Sequence, residues 1–204
     1  MKQQILTMLH LQNEMNAKVH PNWREQGYQW YRAIWVECAE MMDHHGWKWW
    51  KKQEIDREQV VLELIDIWHF GLSDLLQDTL TDFDDIAQRL SIQFREPVQS
   101  GNFLEDVETF TQNTLSQKHF PLLDFMPLMQ GMDLSFTELY RSYVGKNVLN
   151  FFRQDNGYKD GTYHKIWDGK EDNEHLVEIV NTLDANSERF KEDVYGALLA
   201  RYPQ

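Results

Sequence analysis

Residues 35–42, WVECAEMM, and residues 62–70, LELIDIWHF, decide the fold of this chain. Both stretches combine apolar residues at helical spacing with two carboxylates three positions apart. These carboxylates are Glu37 and Glu40 in the first stretch and Glu63 and Asp66 in the second. Residues three apart on an α-helix project within roughly 60° of each other, so each pair presents its oxygen atoms side by side. Two such helices packed face to face would concentrate four negative charges, which divalent cations compensate.

The first of these helices is predicted to lie in the interior. From Trp30 to Met42 it is apolar on nearly every side, and such a helix is normally buried. Glu37 and Glu40 are therefore expected to be buried carboxylates, which need a cation or a hydrogen-bond donor.

The second helix allows two interpretations. Glu63 and Asp66 lie opposite its apolar stripe, which fits a solvated polar face. However, a solvated face usually mixes charges of both signs, and residues 59–87 contain no Lys or Arg. Phe70 also shares the arc of the two acids. Together with the first pair, these features favour a metal site.

Composition limits the class of protein. A chain of 204 residues forms one large domain, or one domain with an elaboration. The net charge of −13 argues against nonspecific binding to nucleic acid or to a membrane surface, because both are polyanionic. Cys38, the single cysteine, rules out an internal disulfide framework and fits a reducing compartment. Since we see neither a signal peptide nor a membrane span, we expect a soluble, cytoplasmic protein.

Helical periodicity and only five Pro predict an all-α fold. The predicted helices cover roughly 3–18, 26–44, 54–78, 82–95, 103–116, 134–155 and 174–201. Strand signals are nearly absent, and residues 157–173 are interpreted as a glycine-punctuated loop. We predict a single domain over 1–204, with a core formed by 1–77 and 131–204. Residues 78–130 are acidic and interrupted by proline, and they are predicted to be a helical elaboration of that core.

An aromatic and basic segment, GWKWWKK at residues 46–52, follows the first acidic helix. Tryptophan faces beside lysines suit a planar, charged ligand such as a nucleotide. The alternative, which we favour for most of the tryptophans, is that they fill a corner of the core. The preceding His44 and His45 are interpreted as polar residues at a helix end, without a metal.

Two further groups of polar residues are candidates for ligand binding. Gln12 and Asn16 lie on an apolar arc, where their amides suit either the edge of a nucleobase or hydrogen bonds between helices. Lys146, Asn150 and Arg153 share one helix face, and Tyr158, Lys159 and Lys165 follow it. This second group suits phosphate or a basic surface that pairs with the protein's own acids. No P-loop, Gly-x-Gly-x-x-Gly or His-Glu-x-x-His motif is present.

Three blocks of the sequence resemble the dimeric all-α dUTPases, a family within the all-α NTP pyrophosphatases. The first block is LQNEMNAKVHPNW at 11–23. The second is ECAEMMDHHGWKWWK at 37–51, which continues into LELIDIWHFGLSD at 62–74. The third is KNVLNFFRQDNGYKDGTYHKIWDGKEDN at 146–173. Residues 78–130 show no clear family motif.

The resemblance implies a role for each matching residue, within a helical-bundle core of the all-α NTP pyrophosphatase type. Glu37, Glu40, Glu63 and Asp66 would bind Mg²⁺. Gln12 and Asn16 would meet the uracil, and Trp49 and Phe70 would line the pocket for base and sugar. Asn150 would contact the nucleoside, and Lys146, Arg153, Tyr158 and Lys159 would hold phosphates. The family also implies a homodimer.

The expected function is therefore a dUTP diphosphatase that converts dUTP, and also dUDP, to dUMP with release of pyrophosphate or phosphate. Attack of a metal-bound water is expected, with Glu37 as general base. One alternative is a dCTP/dUTP or broader house-cleaning NTP pyrophosphatase, because amide side chains match uracil or cytosine equally well. A second alternative is a nucleotide-sensing regulatory protein that docks on a partner through residues 78–130.

Overall fold

The computed structural model describes residues 1–203, and within them it contains nine α-helices and a single two-stranded hairpin. The all-α prediction is confirmed. The helices are α1 (Lys2–Val19), α2 (Trp30–His45), α3 (Arg57–Leu76), α4 (Phe83–Gln93), α5 (Phe103–Gln117), α6 (Leu122–Gly131), α7 (Phe136–Asp155), α8 (Asp172–Thr182) and α9 (Phe190–Arg201). A short 3₁₀ helix covers Trp23–Glu25, and the hairpin strands are β1 (Ile166–Trp167) and β2 (Lys170–Glu171). No helix in this described part of the chain has both the length and the apolar character of a membrane span.

Two helix predictions differ from the structure. Helix α6 was not predicted because Pro121 and Pro127 were interpreted as breaks. Pro121 is the N-cap, where an N–H would have no intrahelical partner, and the helix continues through Pro127 although proline removes one backbone hydrogen bond there. The helix predicted over 174–201 is two helices, since the chain leaves helical geometry between α8 and α9.

The predicted loop at 157–173 contains a β-hairpin. Asp168 and Gly169 connect its strands, and both have positive φ angles of 48° and 81°. Two consecutive positive φ values are the requirement of a type I′ turn, and Asp-Gly is a strong sequence signal for it. The turn places Trp167 in a fully buried position.

By internal contacts the chain forms two compact units, Met1–Phe136 and the residues from Thr137 onward. In the first unit, α2 and α3 make the most extensive contact. Residues 78–130 lie entirely within this unit, where α4 packs on α1 and α5 packs on α2 and α6.

Helix α3 is the buried centre of the first unit. The Trp68 ring is fully buried, stacks on Phe125 with centroids 5.7 Å apart, and donates its N–H to the Met8 sulfur at 3.3 Å. One turn later, a Cβ on Gly71 would lie 2.8 Å from the Phe120 ring, so only glycine permits this approach. Twelve of the twenty α3 residues are buried, whereas only three of the sixteen α2 residues are. The acidic helix predicted to be interior is therefore the outer one.

Candidate metal centre

Three carboxylates from α2 and α3 converge at one place. One oxygen each from Glu37, Glu63 and Asp66 lies within 4.8 Å of the others. The contact between the two helices brings Glu37 opposite the pair on α3. The i, i+3 spacing of Glu63 and Asp66 then turns both toward it. We call these three residues the acidic cluster.

The burial of the cluster contradicts the prediction for α2 and excludes one of the two interpretations of α3. Glu63 is only 8% exposed, and Asp66 is half-buried, so the solvated-face interpretation of α3 is wrong. Helix α2 instead exposes 41% of both Trp35 and Val36. Only part of the apolar surface of α2 is therefore covered, and the rest faces outward.

The close approach of like charges changes the protonation of the cluster. Burial, the hydrogen bond to Glu63 and the charges of Asp66, Glu63 and Glu40 raise the pKa of Glu37 to about 8. Burial is also the main cause of a raised pKa at Glu63, which accepts the hydrogen bond that the protonated Glu37 donates. Without a cation, the cluster thus holds a shared proton at neutral pH.

Two further ionisable residues, Glu40 and His44, lie near the acidic cluster. Glu40 is exposed, so the prediction that it is a buried carboxylate is wrong, whereas Glu37 is half-buried. Glu40 lies one turn beyond Glu37, and its charge contributes to the raised pKa of both Glu37 and Glu63. His44 Nε2 lies 3.6 Å from Glu63 Oε1. Sequence reasoning missed this neighbour, although His44 is seven residues after Glu37 and thus on the same helix face.

The donor set fits a hard divalent cation. Carboxylate oxygens are the ligands that Mg²⁺ prefers, and one or two of them usually suffice when substrate phosphates supply the rest. The three acids lie close together, and the pKa values of Glu37 and Glu63 are raised. A bound cation would stabilise this arrangement. Glu37, Glu63 and Asp66 are the residues that would hold it, with Glu40 at the edge.

Gln12 and Asn16 lie in a buried polar network between α1 and α3. Both amide groups donate to Ser73 Oγ at 2.9 Å, and Gln12 also donates to Asn16 Oδ1 at 3.1 Å. Ser73 in turn donates to the His69 carbonyl, and Gln12 Oε1 lies 3.0 Å from His69 Nδ1. The structure therefore contains the interhelical hydrogen bonds that the sequence allowed.

The two aromatic candidates have different surroundings. Phe70 stacks on Trp30 with ring centroids 6.2 Å apart, on the face of α3 that also carries Glu63 and Asp66. Trp49 is 89% exposed and meets the edge of Trp50, with ring centroids 5.4 Å apart. Trp47 and Trp50 are also largely exposed, so the prediction that most of these tryptophans fill the core is wrong.

A family model described as dUTPase matches residues 4–158. The chain belongs to the all-α dimeric dUTPase family. It is therefore a hydrolase of nucleotide metabolism that acts on dUTP. The match includes residues 78–130, where the sequence offered no family motif. No curated protein matches the chain.

The residues that the dUTPase resemblance assigns to phosphate lie in the second unit, together with Asn150, which it assigns to the nucleoside. Lys146, Asn150 and Arg153 lie on α7 at i, i+4 and i+7, hence on one face as predicted. Tyr158 and Lys159 follow in the turn and are exposed.

Arg153 already has an anionic partner within this unit. Its Nε and Nη2 both donate to the fully buried Asp172 at 2.8 Å, and Tyr163 donates to the same carboxylate. Burial would raise the pKa of Asp172, but these hydrogen bonds outweigh it and hold the pKa below its usual range. The pairing with the protein's own acids, which the sequence left open, is present for Arg153.

Proposed function

We propose that the chain is a Mg²⁺-dependent dUTP diphosphatase that converts dUTP and dUDP to dUMP, releasing pyrophosphate or phosphate. Family membership supports the substrate. The observation that carries the metal dependence is the convergence of Glu37, Glu63 and Asp66 oxygens within 4.8 Å. Mg²⁺ bound there would neutralise phosphate oxygens and make water more acidic.

Glu37 is the proposed general base. While the cluster is uncompensated, Glu37 keeps its proton and donates a hydrogen bond to Glu63. When the charge of its neighbours is compensated, Glu37 loses this proton and can accept one from the water that attacks phosphorus in line. Glu63 and Asp66 lie on the buried helix α3 and are proposed to keep the reacting groups in place there.

The remaining assignments follow the resemblance. In the first unit, Gln12 and Asn16 are proposed to meet the uracil, and Phe70 and Trp49 to line the base and sugar. The hydrogen bonds through Ser73 support this for the two amides, because they fix the amide orientation before substrate arrives.

For the second unit, the proposal keeps the assignments that the resemblance implies. Asn150 is proposed to contact the nucleoside. Lys146, Arg153, Tyr158 and Lys159 are proposed as phosphate ligands, with Arg153 held in place by Asp172.

We further propose that the protein is a homodimer. Trp35, Val36 and Ala39 occupy one exposed apolar arc of α2, and an apolar helix face of this kind is typical of an interface. Family resemblance supports the same arrangement.

The decisive experiment measures product release from dUTP, dUDP, dCTP and dTTP, with and without Mg²⁺. We expect Mg²⁺-dependent hydrolysis of dUTP and dUDP, with dCTP and dTTP much slower. Glu37→Gln should lower kcat by about 10²–10⁴-fold, the usual contribution of a general base. Glu54→Gln, at an 87% exposed side chain, is the matched control and should keep full activity.

The outcomes separate the parts of the proposal. Absence of Mg²⁺-dependent hydrolysis with every nucleotide would refute the proposed activity. Equal rates with dCTP and dUTP would replace it by the broader pyrophosphatase. A folded Glu37→Gln variant with wild-type turnover would show that the general base is another group.

A further inference from the structure

A cavity of about 370 Å³ opens between α3, α4 and the loop that joins α5 to α6. This volume lies in the range of small-molecule sites. Its apolar wall includes Leu75, Leu90 and Phe120, all at most 7% exposed. Its polar lining includes the two basic side chains Arg89 and His119. The space thus combines a fixed apolar surface with two basic groups.

His119 is oriented by a buried carboxylate. Its Nδ1 pairs with Asp74 Oδ2, and the same oxygen accepts the Phe120 N–H at 2.8 Å. The Asp74 side chain is only 7% exposed, whereas half of His119 remains exposed. Because Nδ1 is engaged, Nε2–H is the donor that His119 can offer to a ligand. The hydrogen bond to Asp74 raises the pKa of His119, against burial and the charge of Arg89.

Arg89 has an acidic neighbour, Asp78, but within residues 1–203 no hydrogen bond or close ion pair engages its exposed guanidinium. The hydrogen bonds from Thr81 and from the Leu80 N–H lower the pKa of Asp78, and the charge of Arg89 contributes to this shift. Arg89 also lies close enough to His119 for its positive charge to oppose the protonation of that ring. Two neighbouring cationic groups that face one space are stabilised by an anion between them.

The acids of the cavity are already compensated. Asp74 pairs with His119. Asp124 accepts a hydrogen bond from Asn113 at 2.7 Å and lies in the first turn of α6, where the helix dipole favours a negative charge. Both cavity acids thus have partners other than Arg89.

We propose that this cavity is a second ligand site, which binds a small organic anion. A phosphate or carboxylate group is held by Arg89 and His119 Nε2, and a ring or short chain lies against Leu75, Leu90 and Phe120. Asp74 is eight residues beyond Asp66 in α3, about 12 Å along the helix axis. The site is thus distinct from the acidic cluster and does not depend on the proposed function.

The test uses ¹H–¹⁵N NMR titrations of the full-length, metal-free protein. Phenyl phosphate and benzoate are the anionic probes, and benzyl alcohol is the neutral probe of similar size. We expect millimolar or tighter binding of at least one anion, seen at the Leu90 and Gln93 amides and at the His119 ring. Arg89→Gln should weaken binding about tenfold, as expected for loss of a charge-assisted contact.

Arg95→Gln is the matched control, since it removes the same charge from an exposed position just beyond α4. It should change the affinity less than twofold. His119→Gln keeps an amide donor for Asp74 but removes the positive charge, and it should also weaken binding. Stronger binding of phenyl phosphate or of benzoate identifies the preferred anion, and either supports the proposal.

Three results would overturn it. The first is that no anion shifts the cavity resonances at millimolar concentration. The second is that benzyl alcohol binds as tightly as the anions, which would leave the cations without a role. The third is that Arg89→Gln binds as well as the wild type or is matched by Arg95→Gln.

Discussion

At the scale of single residues, Glu37 gives the clearest electrostatic signature. Its pKa in the folded protein is about 8, against an ordinary value of 4.5. The folded state binds this proton more tightly than the unfolded chain. The stabilisation from Glu37 is therefore complete below about pH 4.5 and is lost as the pH rises through 8.

Glu37→Gln should accordingly stabilise the metal-free protein at high pH. The variant cannot ionise, so it should match the wild type at pH 5 and exceed it at pH 9 by roughly 1–2 kcal/mol, a value reduced for the partial exposure of the site. Urea unfolding at both pH values measures this difference. Mg²⁺ should stabilise the wild type more than the variant. A difference that stays constant with pH would contradict the shared proton.

Ser73 is the second residue with a specific expectation. Its fully buried hydroxyl accepts hydrogen bonds from both Gln12 and Asn16. Ser73→Ala should cost roughly 1–3 kcal/mol, because buried amide donors lose their acceptor. Denaturant unfolding checks this value. Ser91→Ala is the control, since the hydroxyl of this buried residue only donates to Gln88 within its own helix, and it should cost less than about 1 kcal/mol.

At the scale of helices, the burial of α2 and α3 shows what helical periodicity cannot predict. The sequence correctly placed a carboxylate pair on each helix. Apolar residues on nearly every side of α2 predict an interior helix, but Trp35 and Val36 are exposed. The sequence also allows α3 to be a surface helix, but Glu63 is buried. Periodicity describes one helix, whereas burial depends on what packs against it, here α1, α2 and the aromatic rings around Trp68.

The contact between α7 and α8 is expected to depend on one buried ion pair. Asp172→Asn removes the charge that two Arg153 donors and the Tyr163 hydroxyl face. We expect a loss of about 3–5 kcal/mol, as for other broken buried pairs. Trp fluorescence during urea unfolding measures this loss of stability, since Trp167 is fully buried in the second unit.

An exposed pair provides the comparison for this prediction. Lys170→Gln breaks the pair with Glu178. The Lys170 side chain is 48% exposed and the Glu178 side chain 44%. Such surface pairs contribute little to stability, because solvent screens them. If both variants lost the same stability, Asp172 would not have the structural role proposed here.

At the scale of the whole molecule, the exposed arc of α2 predicts the oligomeric state. Val36→Glu should convert a dimer into a monomer, because it places a charge in the centre of an apolar interface. Light scattering coupled to size exclusion measures the mass. Leu80→Glu, at a 95% exposed position, is the control and should leave the dimer intact. A wild-type monomer, or a Val36→Glu dimer, would refute the homodimer.

The helical class, most helix positions and the identity of the acidic residues could be predicted from the sequence. This was possible because helical periodicity and carboxylate spacing are local properties of the chain. Which carboxylates converge depends on the packing of the helices, since Glu37, Glu63 and Asp66 meet within 4.8 Å while Glu40 remains exposed. The tertiary structure also decided that Gln12 and Asn16 share Ser73, and that Arg89 and His119 line one cavity. These groupings join residues far apart in the chain, and their distances are set by how the helices pack.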